Sequence, residues 1–141
     1  MTRLGRTAVV AALLAWPALV RAESFLGSNP ESYKGKAVGD GQCVAFVREC
    51  AKATATDTWK EGKKVRGNTI AKGTVIATFK DGKYPNAGTG NHAAIYESQT
   101  KDGIYVWDQW KGHSVARRLI RFKGGKGSPS NDGDAFSVVE K

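Results

Sequence analysis

Side chains that commonly bind metals are scarce in this chain. Its 141 residues include two cysteines, Cys43 and Cys50, and two histidines, His92 and His113. The cysteines are seven positions apart and the histidines lie far along the chain, which matches no ordinary zinc-ligand spacing. We therefore expect no metal and no other cofactor, and any thiol or imidazole chemistry must use these side chains.

Long apolar runs are also rare, and the one that occurs lies near the N-terminus. Arg3 and Arg6 precede residues 7–20, which carry no charge, and a small residue follows where a signal peptidase would cleave. This order predicts a secretory signal peptide over residues 1–22, because a membrane span needs about 20 apolar residues. An uncleaved N-terminal anchor is the alternative. Residues 23–141 are then expected to form one exported domain, periplasmic or secreted, without a membrane span after cleavage.

Acidic residues are outnumbered by basic ones. The chain has 13 Asp and Glu against 22 Lys and Arg, which gives a formal net charge of +9. A basic exported protein suits polyanionic surroundings such as a cell wall or an anionic membrane surface. The same charge would suit nucleic acid, but no base-stacking motif interleaves with the basic clusters at residues 60–66 and 117–123. We therefore expect no nucleic-acid partner.

The sequence pattern changes from helical to extended near residue 74. Residues 42–52 contain no internal glycine or proline and predict a helix, which Asp40 is placed to cap. Residues 59–67 predict a basic loop or short helix. About five short strands, joined by turns, are predicted at residues 74–79, 92–97, 104–108, 114–122 and 135–139. We expect an α+β domain in which the N-terminal helix packs on a mainly antiparallel sheet.

In an oxidising compartment, two cysteines would ordinarily form a disulfide. Helix geometry argues against pairing Cys43 with Cys50, because seven helical residues rise about 10 Å and a disulfide requires Cα atoms within about 7 Å. Cys43 lies at the first turn, where the helix dipole favours a thiolate, and Gly39 and Gly41 allow an exposed turn before it. Cys43 is therefore a candidate nucleophile and Cys50 a small core residue. The alternative is a structural protein in which Cys43 pairs with Cys50 or with another chain.

Either histidine could serve as the base for such a nucleophile. His92 begins a predicted strand, which would hold its imidazole rigidly, whereas His113 lies in a turn and is expected to be solvated. We therefore favour His92. Asp108 ends the next strand, and a hairpin could bring its carboxylate to the imidazole, with Gln109 as a substitute. The alternatives are a half-buried strand histidine without a partner and a salt bridge from Asp108 to nearby bases.

Two tryptophans flank the predicted acid. Trp107 and Trp110 would line a groove beside Asp108 or pack on the sheet. Ala93 and Ala94, next to the histidine, are small enough to leave room for a substrate strand. A groove for an extended substrate is therefore expected at this position.

Four segments of the chain are similar to one enzyme superfamily. Gly41-Gln-Cys-Val-Ala-Phe-Val47, Gly73-Thr-Val-Ile-Ala77, Gly90-Asn-His-Ala-Ala-Ile-Tyr96 and Gly103-Ile-Tyr-Val-Trp-Asp108 resemble the CHAP and NlpC-type amidases. Those are papain-like enzymes that cut peptidoglycan amide or peptide bonds, with a cysteine on the first helix, a histidine on a strand and a polar residue on the next. The likeness spans residues 33–122. Within it, Asp108-Gln-Trp110 resembles the signature of a small, poorly characterised bacterial group.

The resemblance implies roles for individual residues. It implies Cys43 as nucleophile, His92 as base and Asp108 as the group that orients the imidazole, where CHAP enzymes often have glutamate. Gln42 resembles the glutamine before the CHAP cysteine and would help to shape the oxyanion site with the backbone N–H of Cys43. Tyr33 resembles an upstream tyrosine that faces the scissile carbonyl in NlpC-type enzymes.

The implied function is that of an exported cysteine hydrolase, a thiol protease or amidase. It would cleave an amide bond in peptidoglycan stem peptide through a thioester acyl-enzyme. Its partners would be the peptide substrate and, where one exists, an inhibitor protein, and we expect a monomer. A catalytically inactive module of the same fold, which binds the cell wall or another protein, is the alternative.

Overall fold

The computed structural model describes residues 23–141, which contain one α-helix and a six-stranded sheet. The helix α1 spans Cys43–Ala51. The strands, in chain order, are β1 Lys60–Lys64, β2 Val75–Thr78, β3 Ala93–Gln99, β4 Gly103–Trp110, β5 His113–Arg121 and β6 Phe136–Glu140. Across the sheet their order is β1-β6-β2-β3-β4-β5, and every neighbouring pair is antiparallel. The predicted α+β architecture is confirmed, while the predicted signal peptide lies outside the described residues.

The first strand corrects the prediction of a loop or short helix at residues 59–67. β1 is an edge strand in which every residue except Gly62 is exposed, so it lacks the apolar alternation that identifies a half-buried strand. Its backbone pairs with β6, with Lys60 opposite Glu140. Gly62 allows this close approach, because a Cβ there would come within 2.6 Å of Glu140 Oε1. The position of β1 in the sheet is therefore determined by its backbone pairing with β6 and not by a hydrophobic pattern.

The helix and the other five strands lie where the sequence predicts them, with ends that differ by one or two residues. Gln42 is the N-cap of α1 and makes no side-chain capping bond. The prediction that Asp40 caps the helix is wrong. Its carboxylate accepts the N–H of Gln42 at 2.9 Å, so it stabilises the turn before the helix and not the first helical turn.

The helix packs on the central strands and closes one of two hydrophobic cores. Its buried side chains include Phe46, Val47 and Cys50, which lie in a cluster with residues of β2, β3 and β4. A second cluster, which includes Val65 and Phe136, contains other side chains of the same strands. β2 is buried at every position, as expected for a central strand that is covered on both faces. This packing sets the first turn of α1 beside the start of β3.

Candidate active site

The loop before α1 is held by a fully buried side chain from β4. Gln109 Oε1 accepts the N–H of Val38 at 2.8 Å, and Nε2 donates to the carbonyls of Val38 and Gln42, also at 2.8 Å. Gly39 in this loop has a φ of +57°, and a Cβ there would come within 2.9 Å of a methyl group of α1. These contacts fix the chain that leads into Cys43, the first residue of the helix. Gln109 therefore positions this loop from inside the protein.

His92 lies directly before β3 and is held there through its backbone. Its N–H donates to Thr78 Oγ1 at 3.0 Å, and its carbonyl accepts the N–H of Thr78 at 3.0 Å. The residue is 5% exposed, and Nε2 donates to Asp108 Oδ2 at 2.7 Å. Because Nε2 is used in this way, Nδ1 is the ring nitrogen available to the thiol of Cys43, which lines the same cavity as His92. The structure thus brings Cys43, His92 and Asp108 together, with a hydrogen bond between the imidazole and the carboxylate.

Arg118 on β5 is a second hydrogen-bond partner of Asp108, although the sequence does not single it out. Its Nε donates to Asp108 Oδ2 at 2.7 Å, the same oxygen that His92 contacts. Asp108 is 1% exposed, and a carboxylate so buried is tolerated only when charged or hydrogen-bonding partners compensate. The sequence left a histidine and a nearby basic residue as alternative partners of Asp108, and the structure shows both, His92 and Arg118.

The environment of Cys43 and His92 favours a thiolate–imidazolium ion pair. Burial alone would raise the pKa of the Cys43 thiol, but the hydrogen bond and charge of His92, with smaller effects from the Ala93 backbone and Tyr84, lower that pKa overall. Burial alone would lower the pKa of His92, but Asp108 and Cys43 raise it to about 9. The two shifts are opposite in direction, and both favour the charged pair over the neutral thiol and imidazole.

Tyr84 and Asn91 complete the surroundings of the thiol and are further residues that the sequence does not single out. The Tyr84 hydroxyl lies 3.7 Å from Cys43 Sγ and accepts a hydrogen bond from Asn91 Nδ2 at 3.2 Å. Burial and the neighbouring Cys43 raise the pKa of the Tyr84 phenol, so the phenol keeps its proton and can donate to a thiolate. Both residues belong to the loop of residues 81–91, whose glycine, proline and asparagine content shows no periodic pattern.

These groups face a cavity of about 810 Å³. Its walls come from the start of α1, the loop before β3, the β4–β5 turn, Arg118 on β5 and the loop near residue 130. The lining residues are Asp40, Gln42, Cys43, Val44, Tyr84, Asn86, Ala87, Gly88, Thr89, Gly90, Asn91, His92, Trp110, Lys111, Arg118, Ser128, Ser130 and Asn131. The predicted residues Gln42 and Trp110 thus lie on the same cavity as the thiol and the imidazole.

Three other residues from the sequence analysis lie away from the cavity wall. Tyr33 packs edge-on against Phe46, with 5.5 Å between the ring centroids, so Tyr84 and not Tyr33 is the tyrosine beside the thiol. Trp107 lies in the hydrophobic cluster under α1 and packs the sheet instead of lining the groove. Gln109 is fully buried and contacts the loop before the helix.

Two side chains lie against or near the indole ring of Trp110. His113, which is exposed and outside the cavity wall, stacks on it with 4.1 Å between centroids. The guanidinium carbon of Arg118 lies 4.8 Å from the ring centroid. Trp110 therefore supports the side chains around it at the rim of the cavity.

Both cysteines are free thiols. Cys50 is buried under α1, where its Sγ lies 3.7 Å from the carbonyl oxygen of Ser28. In the described part of the chain, residues 23–141, no group of three or more His, Cys, Asp or Glu side chains is placed to hold a metal. A thiolate, an imidazole that can transfer a proton and a carboxylate that orients it can together perform nucleophilic acyl transfer.

Known proteins resemble this chain over most of its length. A family model described as Domesticated amidase effector 2 matches residues 17–139. A Domesticated amidase effector 2 from Ixodes scapularis is 39% identical over 140 residues, which cover 94% of this chain and 96% of that protein. A Type VI secretion amidase effector 2 protein from Salmonella typhi is 44% identical over 113 residues, which cover 70% of this chain and 84% of that protein.

A solved structure shows the same fold. The structure of a Type 6 secretion amidase effector 2 (Tae2) matches with a TM-score of 0.73 at 35% sequence identity, covering 82% of this chain and 94% of that one. This likeness confirms the predicted papain-like α+β fold. Because the family model matches nearly the whole chain, the protein belongs to the Domesticated amidase effector 2 family.

Proposed function

We propose that this protein is a cysteine amidase or endopeptidase that hydrolyses an amide bond in peptidoglycan stem peptide. The observation that carries the proposal is that Cys43 and His92 line one cavity of about 810 Å³ and that the imidazole of His92 is hydrogen-bonded to Asp108. The matched family and the relatives from two organisms carry the name amidase effector, which agrees with attack on an amide.

In the proposed reaction, the Cys43 thiolate attacks the scissile carbonyl carbon and His92 then gives its proton to the departing amine. The ion pair supports both steps, because the nucleophile is ionised before the substrate arrives and the imidazolium already holds the proton that the amine needs. Asp108 accepts from Nε2 of His92 and so keeps Nδ1 directed at the sulfur. The first product is the amine, and the acyl part of the peptide remains on Cys43 as a thioester.

Donors at the start of α1 would stabilise the oxyanion that forms during this attack. The first N–H groups of a helix have no intrahelical partner, and the helix dipole favours negative charge there. The backbone N–H of Gln42 already donates to Asp40 at 2.9 Å. The proposed donors are therefore the backbone N–H of Cys43 and the side-chain amide of Gln42, which is exposed and lines the cavity.

Water completes the cycle. His92 is neutral after it has protonated the amine, so it can remove a proton from the water that attacks the thioester carbonyl. The carbon–sulfur bond then breaks, the carboxylic acid leaves, and Cys43 departs as a thiolate. The thiolate–imidazolium pair is thereby restored for the next substrate.

The site of action that we propose lies outside the cytoplasm, in the periplasm or beyond the cell. The predicted signal peptide supports it, as do the net charge of +6 that residues 23–141 keep without the three arginines of residues 1–22 (+9 − 3) and a relative that is named for type VI secretion. Within residues 23–141, no helix is long and apolar enough to cross a membrane. The monomeric state and an inhibitor protein stay predictions from the sequence.

The experiment that tests the proposal is digestion of purified peptidoglycan by residues 23–141 under reducing conditions, with the products identified by mass. We expect new amine and acid ends with the wild type and none with Cys43→Ala. The matched control is Cys50→Ala, which removes the thiol that lies in the core and should digest as the wild type does. Binding to peptidoglycan without new ends would contradict the proposal and favour an inactive wall-binding module.

A further inference from the structure

We propose that Arg118, assisted by Lys111, binds a carboxylate of the substrate next to the scissile amide. This inference rests on the proposed peptide hydrolysis and adds the chemical group that one end of the cavity recognises. Both side chains line the cavity that contains the thiol and the imidazole.

The guanidinium of Arg118 has donors that the protein does not fully use. Nε donates to Asp108 at 2.7 Å, and Nη1 makes only a long contact of 3.5 Å with Asn131 Oδ1. For Nη2, no hydrogen-bond partner is found among residues 23–141. The side chain is 24% exposed and reaches the cavity. A planar guanidinium with free N–H groups at a cavity wall has the geometry that binds carboxylates through two parallel hydrogen bonds.

Arg118 is also held in place by the protein itself. The bond to the buried carboxylate of Asp108 fixes Nε, and the indole of Trp110 lies 4.8 Å from the guanidinium carbon. His113 in turn stacks on Trp110. A side chain restrained in this way loses little conformational entropy when it binds a ligand, so its hydrogen bonds contribute more of their energy to affinity.

The position of Arg118 relative to the catalytic groups defines where the carboxylate would be. Its Nε and Nε2 of His92 contact the same oxygen of Asp108, so the guanidinium lies within two hydrogen-bond lengths of the imidazole. Cys43 and this imidazole line the same cavity. Because consecutive Cα atoms are about 3.8 Å apart, a substrate with its scissile carbonyl at Cys43 would place an adjacent residue near Arg118.

The charges around the cavity have the sign that this proposal requires. The charged lining residues other than the catalytic pair are Asp40, Lys111 and Arg118. The two bases lie near the β4–β5 turn and on β5, whereas Asp40 lies before α1. Asp108 offsets part of the charge of Arg118, and Lys111 provides a second positive charge at the same end. An anionic substrate group is therefore attracted to the β4–β5 end of the cavity.

The test uses two synthetic stem-peptide substrates that differ in one group, a free carboxylate or a carboxamide beside the scissile amide. Wild type should cleave the free acid with a kcat/KM roughly ten- to a hundredfold higher, the range expected when a hydrogen bond to a charged group is lost. Arg118→Gln should abolish this preference. Loss of the hydrogen bond from Arg118 to Asp108 would slow the cleavage of both substrates equally. The ratio of the two kcat/KM values therefore measures carboxylate binding, whereas either rate alone does not.

Two other variants complete the design. Arg121→Gln removes an exposed base from the same strand but outside the cavity wall, and it should keep the wild-type ratio. Lys111→Gln changes an exposed turn residue, which keeps the test usable if Arg118→Gln does not fold, and it should reduce the ratio. Equal cleavage of both substrates by the wild type, or a ratio that Arg118→Gln and Lys111→Gln leave unchanged, would overturn the inference and leave the proposed function standing. Cleavage of neither substrate would overturn both.

Discussion

The thiolate–imidazolium pair depends on Asp108, and Asp108→Asn removes the negative charge while nearly preserving the shape of the side chain. Burial lowers the pKa of His92, and the hydrogen bond that its Nε2 donates to Asp108 is the largest of the effects that raise it from 6.5 to about 9. A change of this size corresponds to roughly 3 kcal/mol between the two protonation states. Without the carboxylate, the imidazolium is disfavoured, and Cys43 loses much of the positive charge that lowers the pKa of its thiol.

The assay is the rate of alkylation of Cys43 by iodoacetamide as a function of pH, in a Cys50→Ala background so that one thiol remains. In the protein with Asp108, the thiolate forms as the pH rises through the lowered pKa of Cys43, so alkylation should become fast at a lower pH than for an ordinary cysteine. Peptide cleavage should follow the same rise and then decline as His92 loses its proton near pH 9, because the amine needs that proton.

In Asp108→Asn, we expect the alkylation rate at neutral pH to fall by roughly ten- to a hundredfold. This fall corresponds to about half or more of the roughly 3 kcal/mol by which the protein favours protonated His92. The control is Asp102→Asn, which changes an exposed acid in the β3–β4 turn and should leave the profile unchanged. The same alkylation profile with and without the Asp108 carboxylate would refute the reasoning about the ion pair.

Three further substitutions separate the roles of the surrounding residues. Gln109→Ala removes three part-buried hydrogen bonds to the loop before α1, and we expect a loss of about 2–4 kcal/mol in the free energy of unfolding. An unchanged denaturation midpoint would contradict its positioning role. Tyr84→Phe removes the hydroxyl 3.7 Å from Cys43 Sγ, so titration of the thiol should show a higher pKa, and an equal pKa would argue against that hydrogen bond. His113→Ala changes an exposed side chain and should keep the kcat/KM of peptide cleavage within about twofold, whereas a loss as large as that of His92→Ala would make His113 the base.

The elements with strong local patterns could be predicted from the sequence. The helix lacks internal glycine and proline, and the five predicted strands are short segments bounded by turns, so their predicted ends lie within one or two residues of those observed. β1 has no such pattern, because an edge strand with exposed side chains is held by its backbone. The role of Asp40 could not be predicted either, since a side chain so close to the helix can accept from the turn or from the helix itself.

The proximity of Cys43, His92 and Asp108 could be predicted because the sequence places each residue at the end of a predicted element, where a hairpin and a helix terminus can meet. The contacts of Arg118 and Tyr84 depend on packing between distant parts of the chain. Tyr84, for example, reaches Cys43 across 41 positions from a loop without periodic pattern. A single sequence carries no information about such contacts beyond the types of the residues.

Asp108, Gln109 and Trp110 are consecutive but have separate contacts. Asp108 accepts from His92 and Arg118, Gln109 holds the loop before α1, and Trp110 lies beside the guanidinium of Arg118. This combination gives a physical reason for the tripeptide to occur as a unit. Its resemblance to the small bacterial group with the same signature stays a prediction.

The central claim is that Cys43 forms a thioester with the acyl part of the substrate, and partition of that intermediate with hydroxylamine tests it most directly. Peptidoglycan fragments are digested with and without hydroxylamine, and the new acyl ends are identified by mass. If the thioester forms, hydroxylamine should intercept it, so wild type should give hydroxamate in place of part of the carboxylic acid, and Cys43→Ala should give neither product. Hydrolysis that persists in Cys43→Ala, with carboxylic acid as the sole acyl product of the wild type, would contradict the account.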